Sequence, residues 1–177
     1  MSTPNSINVR RARSDDASAI AEIHVRSWRA AYKGVLSDEL LAGLSVKERE
    51  GSWDQVLAGN DHHWLNLIAE NEHGPLGFCA VTTPSWDASP DEQLAEIGAL
   101  YVDPGHWRQG VGSALLGAAL EELRENAWRE VVLWVLPENR RALDFYAGFG
   151  FRVEEGVEKR EARSDRPVIR LRAPVAR

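Results

Sequence analysis

A basic turn with two glycines is the part of the chain best suited to bind an anion. It joins the apolar segment 100–102 to an amphipathic segment and contains Arg108, Gly110 and Gly112. The first turn of a helix has backbone N–H groups without partners and a partial positive charge. Glycines leave those N–H groups accessible, and an arginine adds a fixed cation. These residue types at this spacing predict a site for a phosphate-bearing ligand.

The spacing of the glycines excludes the two most common phosphate-binding motifs. A nucleoside-triphosphate loop requires the pattern G-x-x-x-x-G-K-[ST], which the chain lacks. A dinucleotide fingerprint requires a third glycine three residues after Gly112, where the chain has Leu115. The alternative interpretation is structural, because glycines at a strand-to-helix turn also allow a helix to pack closely on a sheet.

A second segment combines a strand, a helix and a further strand. The apolar run 131–136 is short and rich in valine, Asn139 is a good N-cap, and the helix is predicted to end near Gly148. This helix carries Phe145 and Tyr146. A tyrosine hydroxyl has an ordinary pKa of about 10, so it is protonated at neutral pH and can serve as a general acid. The alternative is that both aromatic side chains only pack in the core.

The order of these motifs resembles the GNAT superfamily of acetyl-coenzyme-A-dependent N-acetyltransferases. The resemblance covers the whole chain in element order and is specific from about Glu96 to Phe151. It implies an α/β (α+β) fold with a mixed, mostly antiparallel sheet of about six to seven strands, flanked by helices on both faces. It also implies acetyl-CoA as co-substrate, with direct transfer of the acetyl group to a primary amine in a ternary complex.

The resemblance assigns the binding of coenzyme A to three parts of the chain. The pyrophosphate is expected on the turn from Trp107 to Gly112. The pantetheine arm is expected beside the strand 100–102, whose N–H groups would also hold the thioester oxygen. Trp107 departs from the family, which most often has Arg or Gln there, and Arg108 could supply the charge. The expected cofactor-binding residues are Leu100, Tyr101, Val102, Trp107, Arg108, Gln109, Gly110, Val111, Gly112, Ser113, Asn139, Ala142 and Phe145.

Two residues are expected to carry out the proton transfers. The resemblance assigns Tyr146 as the general acid that protonates the leaving thiolate. Glu96 has the spacing of the strand glutamate that some family members use as base, and a carboxylate in a partly apolar cleft is a stronger base. The alternative for Glu96 is an outward-facing side chain or a salt-bridge partner. Gly98 predicts a kink or bulge that would open a cleft between the strands.

The N-terminal third is expected to contain the acceptor site. A helix is predicted from Ser14 to about Gly34, on which His24, Trp28 and Tyr32 recur at intervals of four and share one face. In the family this helix and the next one form the wall of the acceptor pocket, so Trp28 and Tyr32 are the expected acceptor contacts. The alternative is that they pack in the core. The loop 85–93 is expected to border the same cleft.

The composition favours one soluble domain that spans residues 1–177. With 44% hydrophobic residues, the chain can bury a full core. It contains neither an apolar run of about 18 residues nor a charged-then-apolar leader, so we expect a cytoplasmic protein without a membrane partner. The net charge of −6 argues against a nucleic-acid partner.

The cysteine and histidine residues do not suggest a metal site. Cys79 is the one cysteine and lies in an apolar run, which predicts a buried strand residue. His62 and His63 are adjacent and are expected at the surface rather than as ligands. Because no spacing of these residue types suits zinc, no metal is expected.

The remaining elements follow from periodicity and turn signals. They are a strand at 7–12, a helix over 38–57, strands at 64–70, 76–83 and 94–102, a helix at 112–125, and final strands at 151–161 and 168–172. The cofactor is expected where the two central parallel strands separate.

The preferred function is N-acetyl transfer to a small-molecule amine or to a peptide N-terminus. The sequence does not choose between these acceptors. The alternative is a catalytically silent acetyl-CoA/CoA-binding sensor or regulatory domain, which would need neither Glu96 nor Tyr146. Exposed strand edges at the C-terminal hairpin also suggest a homodimer.

Overall fold

One seven-stranded sheet forms the centre of the computed structural model, which describes residues 6–59, 65–84 and 93–175. Its strands lie in the order β1-β2-β3-β4-β5-β7-β6, and every neighbouring pair is antiparallel except β4 and β5, which are parallel. The strands are β1 (Asn8–Arg11), β2 (Leu65–Asn71), β3 (Gly74–Thr82), β4 (Leu94–Val102), β5 (Glu130–Val135), β6 (Arg152–Arg160) and β7 (Pro167–Pro174). The mixed, mostly antiparallel sheet expected from the sequence is confirmed.

Helices cover both faces of the sheet, because side chains of successive strand residues point to opposite faces. The helices are α1 (Ala17–Ala31), α2 (Asp38–Ala42), α3 (Val46–Ala58), α4 (Val111–Glu125) and α5 (Arg140–Gly148). On β3, Cys79 packs into the core beneath α4, whereas Phe78 packs into the core beneath α1 and α3. Cys79 is fully buried, as predicted.

The predicted helix over 38–57 is two helices, so this expectation was wrong. Gly43 follows α2, and the Ser45 hydroxyl accepts a hydrogen bond from the Glu48 N–H at 3.3 Å, which caps the start of α3. A serine cap satisfies one of the free N–H groups of a new helix, so it favours a fresh start over continuation. After this short connection α3 packs against α1.

A β-bulge at Gly98 opens the sheet. Ala99 pairs with Ala80 and Ile97 pairs with Val81, so Gly98 has no partner on β3. The parallel pairing between β4 and β5 covers only Leu94 to Ile97. Beyond the bulge the two central strands therefore separate, as the glycine and the fold together predicted.

Candidate active site

A central cavity of about 260 Å³ lies where β4 and β5 separate. Its volume is close to the lower end of the range of about 300–1,000 Å³ that is usual for small-molecule pockets. Most of the residues predicted at the cofactor site line it: Leu100, Tyr101, Val102, Trp107, Arg108, Gly110, Gly112, Ser113, Asn139, Ala142 and Phe145, together with Tyr146. Segments distant in sequence therefore meet around one opening.

The last residues of β4 present free backbone groups to this cavity. The Asp103 N–H donates to the Leu76 carbonyl on β3 at 2.8 Å. Because backbone groups alternate in direction along a strand, the N–H and C=O groups of Tyr101 also point toward β3, whereas those of Leu100 and Val102 point into the gap. The Val102 carbonyl already accepts hydrogen bonds from the Ser27 hydroxyl and the Trp107 indole N–H, each at 2.8 Å. The groups left for a ligand are the N–H groups of Leu100 and Val102 and the Leu100 carbonyl.

The turn before α4 has a backbone shape suited to anions. Arg108 and Gly110 have φ of 62° and 87°, in the left-handed region, and α4 begins at the next residue, Val111. Turns with left-handed residues gather successive N–H groups into an anion-binding concavity, and the helix start adds its own. The Gln109 side chain donates to the Gly105 carbonyl at 3.0 Å, so it braces the turn. The side chains of Gln109 and of the buried Val111 do not line the cavity.

The first turn of α4 is narrow on its cavity side. A β-carbon placed at Gly112 would lie 3.5 Å from Cζ of Phe145 and 3.7 Å from Cγ2 of Val102, which is ordinary contact distance. One methyl group therefore fits there without displacing a neighbour. A longer side chain would have to extend toward the cavity.

Helix α5 contributes an aromatic wall. Asn139 caps the helix as predicted, and its Oδ1 accepts from the Ala142 N–H at 3.2 Å. The Tyr146 ring packs edge-on against Phe145 and Phe151, with ring centres 5.1 and 5.5 Å away. Burial raises the pKa of Tyr146, so its hydroxyl remains protonated across the neutral range. A phenol in this environment can donate a proton to a group in the cavity.

Arg141 was not predicted and spans the two walls of the cavity. Its guanidinium carbon lies 3.4 Å from the centre of the Trp107 ring, a cation–π contact. The contact places a cation beside the residue at which the family pattern is broken. Arg141 lies in the sequence between Asn139 and Ala142, two residues that were predicted to bind the cofactor. This position could have identified it as a candidate site residue. Ser27, another missed residue, is a buried serine on the inner face of α1.

The two predicted acceptor contacts belong to different cavities. Tyr32 lines the central cavity, and burial raises its pKa. Trp28 lines a second cavity of about 160 Å³ between α1, α3, β4 and the β6–β7 turn, which we call the side pocket. The Trp28 and Tyr32 rings contact each other edge to face at 5.1 Å. His62, His63 and the loop positions 85–92 lie outside the described residues.

Glu96 lies on the face of β4 opposite the α4 core. Its neighbours Ala95 and Ile97 pack beneath α4, so the intervening carboxylate points toward the α1 side, where it is only 8% exposed. Burial lowers the pKa of Lys159 on β6, and the negative charge of Glu96 opposes that change, so the two groups are near each other. Glu96 is not among the residues that line the central cavity or the side pocket.

His24 is held neutral within a group of aromatic rings. It stacks on Tyr101 with ring centres 4.9 Å apart, and its Nδ1 accepts a hydrogen bond from the Trp53 indole N–H at 3.4 Å. Burial, aided by the positive charge of Arg163, lowers its pKa from 6.5 to about 4. Because Nδ1 is the acceptor, the single proton of the neutral ring is on Nε2.

This histidine predicts a loss of stability in mild acid. As the pH falls from 6.5 toward 4, the histidine takes up a proton in the unfolded chain but not in the folded one. The free energy of unfolding therefore falls over this range, by up to about 3 kcal/mol. In His24→Phe we expect a cost of about 1 kcal/mol at pH 7 from the lost hydrogen bond, and no such loss over this pH window. Urea unfolding at several pH values measures both. His73→Asn, at an exposed histidine, is the control. If the unfolding free energy of His24→Phe falls with pH as steeply as that of the wild type, His24 is not the source of the acid sensitivity.

Within the described ranges, no helix is long and apolar enough to cross a membrane. The same residues contain no group of three or more His, Cys, Asp or Glu side chains arranged to hold a metal ion.

Comparisons with known proteins relate this chain to N-acetyltransferases. The model of the acetyltransferase (GNAT) family matches residues 18–151. The uncharacterized N-acetyltransferase YuaI of Bacillus subtilis is 30% identical over 84% of this chain and 83% of its own. A mycothiol acetyltransferase of Beutenbergia cavernae is 40% identical over 63% of this chain, which spans only 33% of that protein. The PaiA N-acetyltransferase of Thermoplasma acidophilum, solved in complex with coenzyme A, has a similar fold, with a TM-score of 0.77, 21% identity and coverage of 96% of this chain and 99% of its own.

Proposed function

Because the chain belongs to the acetyltransferase (GNAT) family, we propose that it transfers an acetyl group from acetyl-CoA to a primary amine of a small molecule or a peptide N-terminus. The observation that carries this proposal is the gap beyond Gly98. There, free N–H groups of β4, the glycine turn and Tyr146 all border one cavity. The relatives named above are acetyltransferases, so nothing favours the alternative of a silent sensor.

The residues present suit coenzyme A. The turn from Trp107 to Gly112 and the start of α4 offer backbone N–H groups to a pyrophosphate, and Arg108 adds charge. Arg141, held against Trp107, is a further cation at the same wall. The gap beside Leu100 can accept an extended pantetheine arm as an added strand. A protein of similar fold was solved in complex with coenzyme A, which supports coenzyme A as the ligand.

When bound, acetyl-CoA supplies the acetyl group as an activated thioester. The N–H groups of Leu100 and Val102 face the gap and would stabilise negative charge on the thioester oxygen during attack. Tyr146 would donate its hydroxyl proton to the sulfur as the carbon–sulfur bond breaks, and solvent would return a proton to the resulting phenolate. The raised pKa of Tyr146 keeps the hydroxyl protonated before this step. Glu96 would accept the proton lost by the amine through an intervening water, since it lines neither cavity.

The test is a thiol-release assay with acetyl-CoA and a panel of polyamines, amino acids, aminoglycosides and short peptides. Calorimetric titration of coenzyme A runs beside it. We expect binding of the cofactor and turnover with one class of acceptor. Tight binding with no turnover across the panel would favour the sensor, and absence of cofactor binding would refute the proposed function.

Replacing Glu96 with glutamine separates a base from a structural role. At pH 7 an alkyl amine with a pKa near 10 is almost entirely protonated, so loss of a base should lower kcat/KM by about 10- to 100-fold. Near pH 9.5, where free amine is abundant, we expect the deficit to shrink to about threefold or less. A pH–rate profile measures this. The same deficit at every pH would indicate that Glu96 has only a structural role near Lys159. The exposed Glu155→Gln is the matched control.

We also propose that residues 1–177 act as one domain and that the protein forms a homodimer. The edge strand β6 supports the dimer, since its Val153 is 54% exposed and the strand has one free edge. Light scattering of the purified protein measures the mass, and a monomer at micromolar concentration would contradict the dimer.

A further inference from the structure

The side pocket lies next to the central cavity, on the other side of β4. Gly98, Ala99 and Tyr101 line both cavities, so they form a shared wall at the bulge. On this side Ala99 and Tyr101 pack with the core of α1 and α3. An amine in the side pocket would therefore be near the place at which the proposed function puts the thioester.

Two arginines give the side pocket an excess of positive charge. Arg49 from α3 and Arg163 from the β6–β7 turn both line it, and neither forms an ion pair within the part of the chain that the structure describes. Glu161 also lines the pocket, but its Oε2 already accepts hydrogen bonds from the backbone N–H groups of Arg163 and Ser164 and from the Ser164 hydroxyl. One carboxylate engaged in its own turn does not balance two guanidinium groups.

His24 adds a neutral donor rather than a base. Its Nδ1 is engaged by Trp53, so the ring can offer only the Nε2–H. The low pKa of about 4 keeps it from taking a second proton at neutral pH. The polar groups of the pocket are thus mainly donors, which suit an oxygen anion and do not suit a second ammonium group.

We propose that the side pocket binds the carboxylate of the acceptor through Arg49 and Arg163, so that the acceptor is a small amine bearing a carboxylate, such as an amino acid. The inference rests on the proposed function and specifies its substrate class. A guanidinium binds a carboxylate with paired hydrogen bonds, which fixes orientation as well as charge. With the carboxylate at the arginines, the amine faces the bulge at Gly98. The volume of 160 Å³, about that of five water molecules at roughly 30 Å³ each, is suited to a small molecule.

The experiment compares amino acids with their neutral carboxamides. Glycine, alanine and serine are each paired with the corresponding α-carboxamide. For every pair kcat/KM is measured by thiol release, and affinity by calorimetry in the presence of coenzyme A. We expect at least one amino acid to be bound and acetylated about tenfold or more better than its amide. Arg163→Gln and Arg49→Gln should each reduce that ratio toward one, with the rate for the amide little changed.

Matched variants separate charge at the pocket from charge elsewhere. Lys47→Gln removes an exposed cation from α3 outside the pocket and should keep the ratio of the wild type. Arg163→Lys restores the charge and should recover part of the preference. Thermal melting of each variant confirms that it is folded.

Several results would overturn the inference. They are an equal kcat/KM for amino acids and their amides, a preference for diamines such as putrescine, or no binding of any amino acid. A ratio of kcat/KM between acid and amide that neither arginine variant changes would also overturn it. Selective binding of an amino acid without thiol release would support the pocket assignment while refuting the proposed activity, so the two failures are distinguishable.

Discussion

Gly112→Glu should abolish the binding of coenzyme A while leaving the protein folded. The position is in the first turn of α4, where a β-carbon has normal contacts with Phe145 and Val102, so the remaining carboxylate must extend into the proposed phosphate site. Juxtaposed like charges cost several kcal/mol, so we expect the affinity to fall by about 100-fold or more. Calorimetric titration measures the affinity, and thermal melting measures stability.

Two other substitutions on α4 make this test specific. Gly117→Glu adds the same charge to the same helix at an exposed position with no atoms within 4 Å, and it should bind coenzyme A as the wild type does. Gly112→Ala adds only the methyl group for which there is room, so we expect its affinity to stay within about threefold of the wild type. If Gly112→Glu still binds coenzyme A normally, the phosphate site is not at this turn.

Tyr146→Phe should lower kcat by about 100-fold with almost no change in the affinity for acetyl-CoA. Loss of a general acid typically costs 10²–10⁴-fold in rate, and the ring that packs against Phe145 and Phe151 is retained. Because the pKa of Tyr146 is raised, the wild-type rate should not decline from loss of this proton below about pH 10. Steady-state kinetics over a pH range and calorimetry measure the two quantities.

The other two tyrosines of the chain are matched controls. Tyr32→Phe and Tyr101→Phe each remove one hydroxyl from a residue that lines the same cavity. We expect each to reduce kcat by about tenfold or less, since neither is assigned a proton transfer. If Tyr32→Phe causes the large loss and Tyr146→Phe does not, the acid is on α1 and the assignment to α5 is wrong.

Local features of the chain were predicted well because they depend on neighbours a few residues apart. The strand 94–102, the cap at Asn139 and the bulge at Gly98 all agree with the structure. Alternation, caps and glycine freedom act within about one turn or one strand, so the sequence carries them directly. The continuous helix over 38–57 was wrong because the Ser45 cap starts a new helix within that span.

The environments of individual side chains could not be predicted in the same way. Glu96 had two interpretations in the sequence, and only the register of β4 shows that it points away from the central cavity and toward Lys159. Trp107 departs from the family pattern, and only the folded chain places Arg141 against its ring. Each of these pairs joins segments that are distant in the sequence and that come near each other only in the folded chain.

By itself, the sequence determined the fold class, the glycine turn that suits a phosphate and the helix that carries Tyr146. Only the tertiary structure decided that Tyr32 belongs to the central cavity and Trp28 to the side pocket, and that Arg49 and Arg163 line the same pocket. The physical reason is that helix periodicity places residues on a face, whereas the charge and volume of a pocket depend on several elements packed around it. Those elements are brought together by the strand order and by the short turns between helices.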